Sequence, residues 1–318
     1  MDTPSVSVVV PGRNCARTIR DCLTALLAAA RESPVKEIIF VDDGSTDDTA
    51  AIVSDLPVTY LVGEGRGAGA ARNIGWRAAR HPLIWFVDAD CVAEPDALTP
   101  LLGHLDDTQV AGVGGSYGNI NEDSLLACLV HEEIVARHAR MPRRVNFLAT
   151  FSVVYRRAVL EELDGFDELF LKGQDAELAW RIAKRGYQLA FDADSRVKHF
   201  HPMSWPSYLN TQCQQGYWRV WLHLRHRGHA RGDSYSGTID HLQPPLAVVI
   251  ALTLPLAVID RFGTIPLAGL TILACLQVPM TRRLMARTGS VRFAMFAVLS
   301  FVRAFWRGAG MTAAMLAV

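Results

Sequence analysis

The sequence predicts an α/β domain with a mostly parallel sheet, followed by an apolar helical region. Short apolar segments alternate with helical patterns through the first part of the chain, and this alternation is typical of a parallel sheet with right-handed crossovers. One of the apolar segments ends directly in two carboxylates. After His241 the pattern changes to long apolar runs. These three observations define the predicted architecture.

The predicted central strand is Leu83–Val87, since five largely apolar residues are too few for a helix. Asp88 and Asp90 follow it, with one residue between them. Ligands collect at the carboxyl ends of strands in open α/β sheets, and two carboxylates there suit a hard divalent cation that grips a diphosphate. The alternative is that one aspartate only caps the helix after Pro95 or supports a turn.

The remaining elements are predicted from the spacing of their apolar residues: short apolar or alternating runs indicate strands, and apolar residues three or four positions apart indicate helices. We predict strands at residues 6–10, 37–41, 58–62, 110–117, 147–155 and 187–191. We predict helices at residues 18–30, 47–53, 70–80, 124–140 and 175–185. Glycine or proline ends several of the strands, as expected of turns.

The C-terminal region is apolar and basic. Asp260 is its only acid, against seven arginines. Runs at 245–259 and 262–280 show no polar face, which favours a membrane hairpin, with spans at about 243–259 and 262–280, over a buried hairpin in a soluble domain. Asp260 and Arg261 form the predicted turn between them. Residues 291–318 are predicted to lie in the membrane interface, with a third, imperfect span as the alternative.

Composition and charge narrow the class of protein. The 318 residues carry a formal net charge of +0, and no aromatic-studded basic cluster indicates a nucleic-acid partner. Six cysteines show neither a C-x-x-C pair nor zinc spacing, which is typical of small buried residues in a reducing compartment. The first apolar run is too short for a signal peptide. Arginines after the second predicted span place the preceding domain in the cytoplasm.

Two further strand ends and loops carry candidate binding residues. Asp42 and Asp43 close a wholly apolar strand, where a carboxylate can accept hydrogen bonds from a uracil imide or a ribose hydroxyl. A turn with a helix cap would explain Gly44 and the threonine after it, but not two successive acids. The glycine-rich residues 65–69 lack the lysine of a P-loop. We interpret them as a flexible approach to a helix bearing Arg72, which is free to meet phosphate.

Acids and histidines late in the domain offer further chemistry. Asp175 opens a helix, where its charge is favoured by the helix dipole. It is either a plain N-terminal acid or a base that deprotonates a hydroxyl nucleophile. His199 and His201 are spaced so that they could reach a metal, although a core or solvated role is commoner for any single histidine.

Five motifs in this order resemble the membrane-anchored bacterial type of family-2 nucleotide-sugar glycosyltransferase. They are VSVVVPGRN at 6–14, VDDGSTDDT at 41–49, GAARNIG at 69–75, FVDADC at 86–91 and GQDAELAWR at 173–181. The resemblance covers most of residues 5–202. It implies the GT-A fold, with a mostly parallel Rossmann-like sheet and a C-terminal helical membrane hairpin. We therefore expect a catalytic domain at 1–235 and a membrane region at 236–318.

The resemblance also assigns roles to individual residues. It implies that Asp43 binds the nucleoside base and that Arg72 approaches the diphosphate. Asp88 and Asp90 would hold Mg²⁺ or Mn²⁺ on the sugar nucleotide, and Asp175 would be the general base of an inverting transfer. The base pocket would be lined by Pro11, Arg13, Asn14 and Asp42. The acceptor side would include Gln174, Trp180, Arg181, His201, Gln215 and Trp218, with Gln174 standing where the family frequently has glutamate.

The expected activity is transfer of one sugar, favoured to come from a UDP-sugar, to a hydroxyl or phosphate acceptor. The acceptor is expected to be lipid-linked, in cell-envelope or exopolysaccharide synthesis at the inner membrane. A processive polysaccharide synthase is the first alternative, but residues 212–219 do not match the Q-x-x-R-W segment of such enzymes. A non-catalytic sugar-nucleotide-binding membrane protein is the second, and it would not need both Asp90 and Asp175. An oxidoreductase or a haloacid-dehalogenase-type phosphatase fits the motif positions less well.

Overall fold

The computed structural model describes residues 4–226, 233–259 and 262–317. The chain divides into two compact units, one of Met1–Ile120 with His138–Phe200 and the other of Asn121–Arg137 with His201–Val318. All strands of the described residues lie in the first unit, and the second is helical. The domain boundary at residue 235 stays a prediction, and the turn predicted at Asp260 and Arg261 lies outside the described residues.

The elements alternate as the sequence predicts through the first third of the chain. The strands are β1 (Val6–Gly12), β2 (Val35–Asp42), β3 (Thr59–Val62), β4 (Leu83–Val87), β5 (Cys91–Ala93), β6 (Val110–Asn119), β7 (Arg144–Val145), β8 (Ser152–Arg156) and β9 (Gln188–His199). The helices are α1 (Ile19–Ala29), α2 (Thr49–Ser54), α3 (Ala68–Ala78), α4 (Thr99–Gly103), α5 (Leu125–His138), α6 (Arg157–Glu162), α7 (Gln174–Lys184), α8 (Trp205–Arg225), α9 (Thr238–Thr253), α10 (Thr264–Cys275), α11 (Val278–Thr288) and α12 (Phe296–Leu316). Short 3₁₀ turns occur at His104–Asp106, Leu254–Val258 and Val291–Met295.

The strands form one sheet in the order β3-β2-β1-β4-β8-β6-β9-β5, with β7 paired to β9. β1 pairs in parallel with β2 and β4, β2 with β3, and β6 with β9. β8 is antiparallel to both β4 and β6, and β5 and β7 are antiparallel to β9. Six strands therefore point one way and three the other. The sheet is mostly parallel by direction, as predicted.

Both faces of this sheet are buried, which explains why its central strands are apolar throughout. Side chains alternate along β4: Trp85 packs in the cluster on one face, and Ile84 and Phe86 pack in the cluster on the other. Val8 and Val9 of β1 divide in the same way. The loops at the carboxyl ends of these strands are therefore held on a rigid base.

The prediction was incomplete for the later strands. The strand expected at 147–155 begins only at Ser152, and the strand expected to end at residue 191 continues to His199. Its second half was missed because three exposed or half-buried residues, Asp192 to Asp194, interrupt the apolar pattern. Helix α8 was also missed, since polar residues are spread around it.

The second unit packs around its own apolar clusters. Leu129 of α5, Tyr208 of α8, Leu284 of α11 and Leu299 of α12 share one of them. Among the described residues, one segment is long and apolar enough to cross a membrane. It is Thr264–Thr288, which comprises α10, α11 and the two residues between them, with a mean hydropathy of 1.5 in its best window. The predicted run at 243–259 does not form such a helix, because α9 changes to a 3₁₀ turn at Leu254–Val258.

Candidate active site

The candidate site lies at the carboxyl end of β4, where the chain leaves the sheet through Asp88. The guanidinium of Arg72 on α3 donates from Nη2 to the Asp88 carboxylate at 2.5 Å. The backbone of Asp88 is also fixed: its N–H donates to the carbonyl of Phe151, and its carbonyl accepts from the N–H of Cys91. Arg72 itself is 3% exposed. The first aspartate of the D-x-D motif is therefore already paired with a buried cation.

The second aspartate has a different set of neighbours, which is fixed by strand register. β5 pairs with β9 so that Cys91 stands directly opposite His199. This register places the imidazole Nε2 of His199 3.4 Å from the Asp90 carboxylate. The Cys91 thiol donates to the same carboxylate, with 3.9 Å between sulfur and oxygen. The ligand atoms of Asp90, Cys91 and His199 all lie within 4.8 Å of one another.

The chemistry of these donors fits a divalent cation. A carboxylate and an imidazole are ligands for Mn²⁺, Zn²⁺ and related ions. The side chain of Asp90 is 46% exposed, so a cation can approach it from solvent. Asp88 lies in the same electrostatic cluster: burial raises its pKa, Arg72 lowers it, Asp90 raises it and His199 lowers it, with a net rise above 3.8. A positive charge bound nearby would stabilise both carboxylates in their charged forms.

Arg72 has more hydrogen-bonding capacity than the chain uses. Its Nε and Nη1 atoms are buried and find no partner among the residues that the structure describes, and its guanidinium lies 5.7 Å from the centre of the Phe166 ring. The next residue, Asn73, holds the Phe166 loop in place, because its amide donates to the Phe166 carbonyl and its oxygen accepts from the Phe166 N–H. Buried polar groups are almost always paired, so two unpartnered nitrogen atoms on a buried cation make Arg72 a candidate for contact with an anionic ligand.

Two other buried polar atoms without a partner lie on neighbouring elements. They are the hydroxyl of Tyr155 on β8 and the side-chain oxygen of Gln174 at the start of α7. Burial raises the pKa of Tyr155, the charge of Asp175 raises it further and that of Arg72 lowers it. The charges of Asp175 and Arg72 therefore both act on the Tyr155 hydroxyl.

Asp175 occupies the first turn of α7, as the sequence predicts. The helix begins after Gly173, whose φ of 79° is easily adopted by glycine. One oxygen of Asp175 accepts from the N–H of Ala176, and the side chain is half-buried. A carboxylate fixed at a helix N-terminus is well placed to remain charged. Its role as a base stays a prediction.

The two acids that end β2 are both engaged by the chain. The Asp43 carboxylate accepts from the N–H groups of Arg66 and Gly67 at 3.1 and 2.7 Å. Asp42 accepts from the N–H of Ser45 and from the hydroxyl of Tyr60, both at 2.7 Å. This second bond, after burial, helps to raise the pKa of Tyr60 to about 12. Asp43 thus ties the glycine-rich loop to the sheet.

The loop after β1 completes this edge. Asn14 adopts a φ of 52°, and its side-chain oxygen accepts from the N–H of Thr46 at 2.8 Å. Pro11 is buried and Arg13 is exposed. β1 and β2 are adjacent, with Gly12 opposite Asp42. The predicted pocket residues therefore do lie at one edge of the sheet, although their binding roles stay predictions.

The residues predicted for the acceptor side divide between the two units. Trp180 and Arg181 lie on α7, where Arg181 is held by the Glu177 carboxylate and by the carbonyls of Leu163 and Gly165. His201, Gln215 and Trp218 belong to the second unit. There His201 is buried, with its Nε2 3.3 Å from Nδ1 of His131, and Gln215 accepts from Arg307. Their contact with an acceptor is a prediction.

Sequence reasoning named the two aspartates but did not commit to the partners of the second one. The sequence suggests His199 as a metal ligand only together with His201, and its cysteine pattern predicts for Cys91 no more than a small buried residue. Nothing in the sequence singles out Tyr155. The missing signal was the register of β5 on β9, because a strand of three residues has too little pattern to be predicted.

Comparison with known proteins agrees with this geometry. Residues 7–164 match the sequence model described as Glycosyl transferase family 2. The pre-mycofactocin glycosyltransferase of Mycobacterium tuberculosis is 28% identical over 208 residues, which cover 62% of this chain and 43% of that protein. The probable glycosyltransferase YdaM of Bacillus subtilis is 28% identical over 251 residues, which cover 74% and 56%. The chain thus spans about half the length of these curated relatives.

A solved structure supports the same fold. The mannosyltransferase PcManGT from Pyrobaculum calidifontis, in complex with GDP-Man and Mn²⁺, aligns with a TM-score of 0.61 at 20% identity. The alignment covers 98% of this chain and 87% of that chain. The GT-A fold predicted from the motifs is confirmed.

Proposed function

We propose that this chain, a member of glycosyl transferase family 2, transfers a single sugar from a nucleotide diphosphate to an acceptor with inversion at the anomeric carbon. The observation that carries the proposal is the pair of unlike carboxylates at the end of β4. Asp88 is held by a buried arginine with two unpartnered nitrogen atoms, and Asp90 lies among other metal-ligating atoms. The guanidinium of Arg72 donates hydrogen bonds and lies next to a site for a metal cation, and together the two positive charges suit a diphosphate.

We assign the cation, Mn²⁺ or Mg²⁺, to Asp90 and His199, with Asp88 kept in place by Arg72. When bound, such an ion neutralises charge that develops on the leaving diphosphate. Arg72 adds a second positive charge through its free Nε and Nη1 atoms. The protein supplies both charges from positions fixed by the sheet and by α3, so little reorganisation is needed during the reaction.

Asp175 is the proposed base. It accepts the proton of the acceptor hydroxyl as that oxygen bonds to the anomeric carbon, while the bond from this carbon to the diphosphate oxygen breaks on the opposite face. The charges of Asp175 and Arg72 both act on the Tyr155 hydroxyl, and Asp175 lies in the first turn of α7. The helix dipole favours the negative charge of a carboxylate at a helix N-terminus, and such a carboxylate can accept a proton from a hydroxyl nucleophile.

We propose a UDP-sugar as the donor. Asp43 lies 3% exposed at the end of β2, and a carboxylate oxygen that already accepts one N–H retains a lone pair for another donor. The imide N–H of uracil is such a donor. The loop at Gly65–Gly67, which Asp43 holds, would then close one side of the base pocket.

The proposed acceptor is lipid-linked, and the proposed location is the cytoplasmic face of the inner membrane. Large apolar side chains of the second unit are exposed on α9, α10 and α12, among them Leu252 at 74%, Leu267 at 63% and Leu316 at 85%. Exposed apolar surface of this extent is typical of a membrane or partner contact. Thr264–Thr288 is the described segment suited to cross the bilayer.

Donor turnover on the detergent-purified full chain tests this proposal. UDP-, GDP- and TDP-sugars are incubated with Mn²⁺ or with EDTA, and release of the nucleoside diphosphate is measured for the wild type, Asp90→Ala and Asp175→Asn. Donor binding is measured in parallel by calorimetry. Asp55→Asn is the matched control, because Asp55 is an exposed carboxylate paired with exposed Arg20.

We expect one donor to be turned over with Mn²⁺ and not with EDTA. Both site variants should lose turnover by at least about 10³-fold, a loss typical of a central catalytic group, whereas Asp55→Asn should match the wild type. Asp175→Asn should still bind the donor. If no donor binds with or without metal, the transferase proposal is wrong.

A further inference from the structure

The thiol of Cys91 faces the proposed cation site, and nothing in the reaction requires it there. Mg²⁺ and Mn²⁺ prefer oxygen ligands, and thiolates select softer ions. Yet the Cys91 sulfur, the Asp90 carboxylate and a His199 nitrogen lie within 4.8 Å of one another. Carboxylate, imidazole and thiolate together are a ligand set typical of Zn²⁺.

We propose that Cys91 is a third metal ligand at this site, and that it makes the site bind Zn²⁺ and other thiolate-seeking ions in preference to Mg²⁺ and Mn²⁺. The inference concerns the site of the proposed function and rests on that function for its biological consequence. Its measurement does not depend on turnover. The consequence is that Zn²⁺ displaces the working cation and inhibits transfer.

The separations between donor atoms support this assignment. A tetrahedral ion with Zn–S near 2.3 Å and Zn–N and Zn–O near 2.0 Å holds its ligand atoms about 3.3–3.6 Å apart. The observed separations are 3.4 Å from the His199 nitrogen to Oδ2 of Asp90 and 3.9 Å from the Cys91 sulfur to Oδ1 of the same carboxylate. The two protein ligands therefore face different oxygens of Asp90, and a rotation of this carboxylate is needed for one oxygen to share the ion with both. Three protein ligands also leave one position open, as in catalytic zinc sites.

The pairing of β5 with β9 fixes the positions of Asp90, Cys91 and His199, and their side chains differ in exposure to solvent. Cys91 and His199 are directly opposite each other on β5 and β9, and the Phe200 N–H donates to the Asp90 carbonyl at 3.0 Å. Cys91 is fully buried, whereas the Asp90 side chain is 46% exposed. An ion therefore enters past Asp90 and meets the sulfur at the floor of the site.

Binding is balanced in charge and atoms. The Cys91 thiol releases its proton to solvent, and the resulting thiolate donates an electron pair to the ion. Asp90 and the thiolate carry two negative charges against the two positive charges of Zn²⁺, and His199 binds as the neutral imidazole. The alternative is that Cys91 is simply a core residue whose S–H donates weakly to Asp90.

Co²⁺ spectroscopy separates these alternatives without any donor sugar. Co²⁺ is added to the metal-free full chain, and the near-ultraviolet charge-transfer absorption of a cobalt–thiolate bond is recorded together with the visible ligand-field bands. The variants are Cys91→Ser and, in case serine disturbs the core, Cys91→Ala. Cys22→Ser is the matched control, because Cys22 is an equally buried cysteine of the same apolar cluster.

We expect the charge-transfer band in the wild type and in Cys22→Ser, and its loss in both Cys91 variants. Competition with Co²⁺ should show Zn²⁺ affinity falling about 100-fold or more in Cys91→Ser, beyond what outer-shell changes usually cost, with Mg²⁺ affinity changed less than threefold. Ligand-field bands without a charge-transfer band in the wild type would overturn the inference and leave the proposed function standing. No Co²⁺ binding at all would overturn the inference together with the proposed cation site.

Discussion

Arg72 with Asp88 in the first unit and Arg303 with Glu133 in the second are both pairs of a buried arginine and a carboxylate. Their surroundings differ. Glu133 of α5 accepts from Arg303 at 2.5 and 2.9 Å and from Arg137 at 2.7 Å. Arg137 in turn donates twice to Asp240. The second network thus balances two arginines with two carboxylates.

The difference lies in how fully each arginine is paired within the fold, and under the proposed function the unpaired nitrogen atoms of Arg72 are available to the diphosphate. Arg303 also donates to the hydroxyls of Tyr208 and Ser300, so its hydrogen-bonding capacity is used within the fold. Arg72 leaves two buried nitrogen atoms unpaired. Burial would raise the pKa of Glu133, but Arg303 and Arg137 outweigh it and hold this pKa at about 2. For Asp88 the balance is reversed, and the pKa is raised.

The largest effect that we predict is on stability, and it comes from a change in the second unit's network of Glu133, Arg303, Arg137 and Asp240. Glu133→Gln leaves Arg303 and Arg137 buried with half of their compensation removed, so the free energy of unfolding should fall by about 3–5 kcal/mol. Urea unfolding in detergent, followed by tryptophan fluorescence, measures it. Arg20→Ala is the control: this exposed pair with Asp55 should contribute no more than about 0.5 kcal/mol. A Glu133→Gln loss as small as that of Arg20→Ala would contradict the comparison.

The stability of the protein should respond in the opposite way when the pair of Arg72 and Asp88 is replaced. Replacing both of its charges with Arg72→Met and Asp88→Asn removes the unpaired nitrogen atoms along with the buried charges. The free energy of unfolding should therefore stay within about 1 kcal/mol of the wild type or rise. Donor turnover should fall by about 100-fold or more, as for loss of a preorganised charged group. A double variant that unfolds like Glu133→Gln would show that this pair is structural as well.

The smallest and most specific effect is a pair of opposite pH dependences. The pKa of Glu133 is lowered to about 2 from 4.5, so its stabilisation is complete above the unfolded-state pKa and is lost as pH falls through about 2. The pKa of Asp88 is raised from 3.8, so its contribution is present below that value and is lost as pH rises through the raised pKa.

Two differences in unfolding free energy test these dependences. The wild type is compared with Glu133→Gln and with Asp88→Asn, in metal-free buffer from pH 2.5 to 6.5. The advantage of the wild type over Glu133→Gln should shrink toward the acid end. The free energy of unfolding of Asp88→Asn, relative to that of the wild type, should rise toward the neutral end, because only the wild type loses stability as Asp88 ionises. Parallel curves for the two variants would contradict the assignment.

The sequence predicts local features of this molecule well, but it does not predict contacts between residues that are distant in the chain. The strand Leu83–Val87 and its following aspartates were found because apolar pattern and motif are local. The contact between Asp90 and His199 was not, because it depends on two strands more than 100 residues apart pairing in one register. The ion pair of Glu133 with Arg303 joins residues 170 apart. The residue spacing within α5 or within α12 does not predict this ion pair.

The pairing of β5 with β9 also has a consequence for folding during synthesis, because the two strands are made at different times. His199 is synthesised 109 positions after Asp90, and at about 5–20 residues per second the ribosome takes roughly 5–20 s to cover that interval. Throughout it, β5 has no strand to pair with, and Asp90 has neither its histidine nor the backbone bond from Phe200. An unfinished chain therefore cannot assemble the proposed cation site, and a chain truncated before β9 would retain the D-x-D motif without its partners.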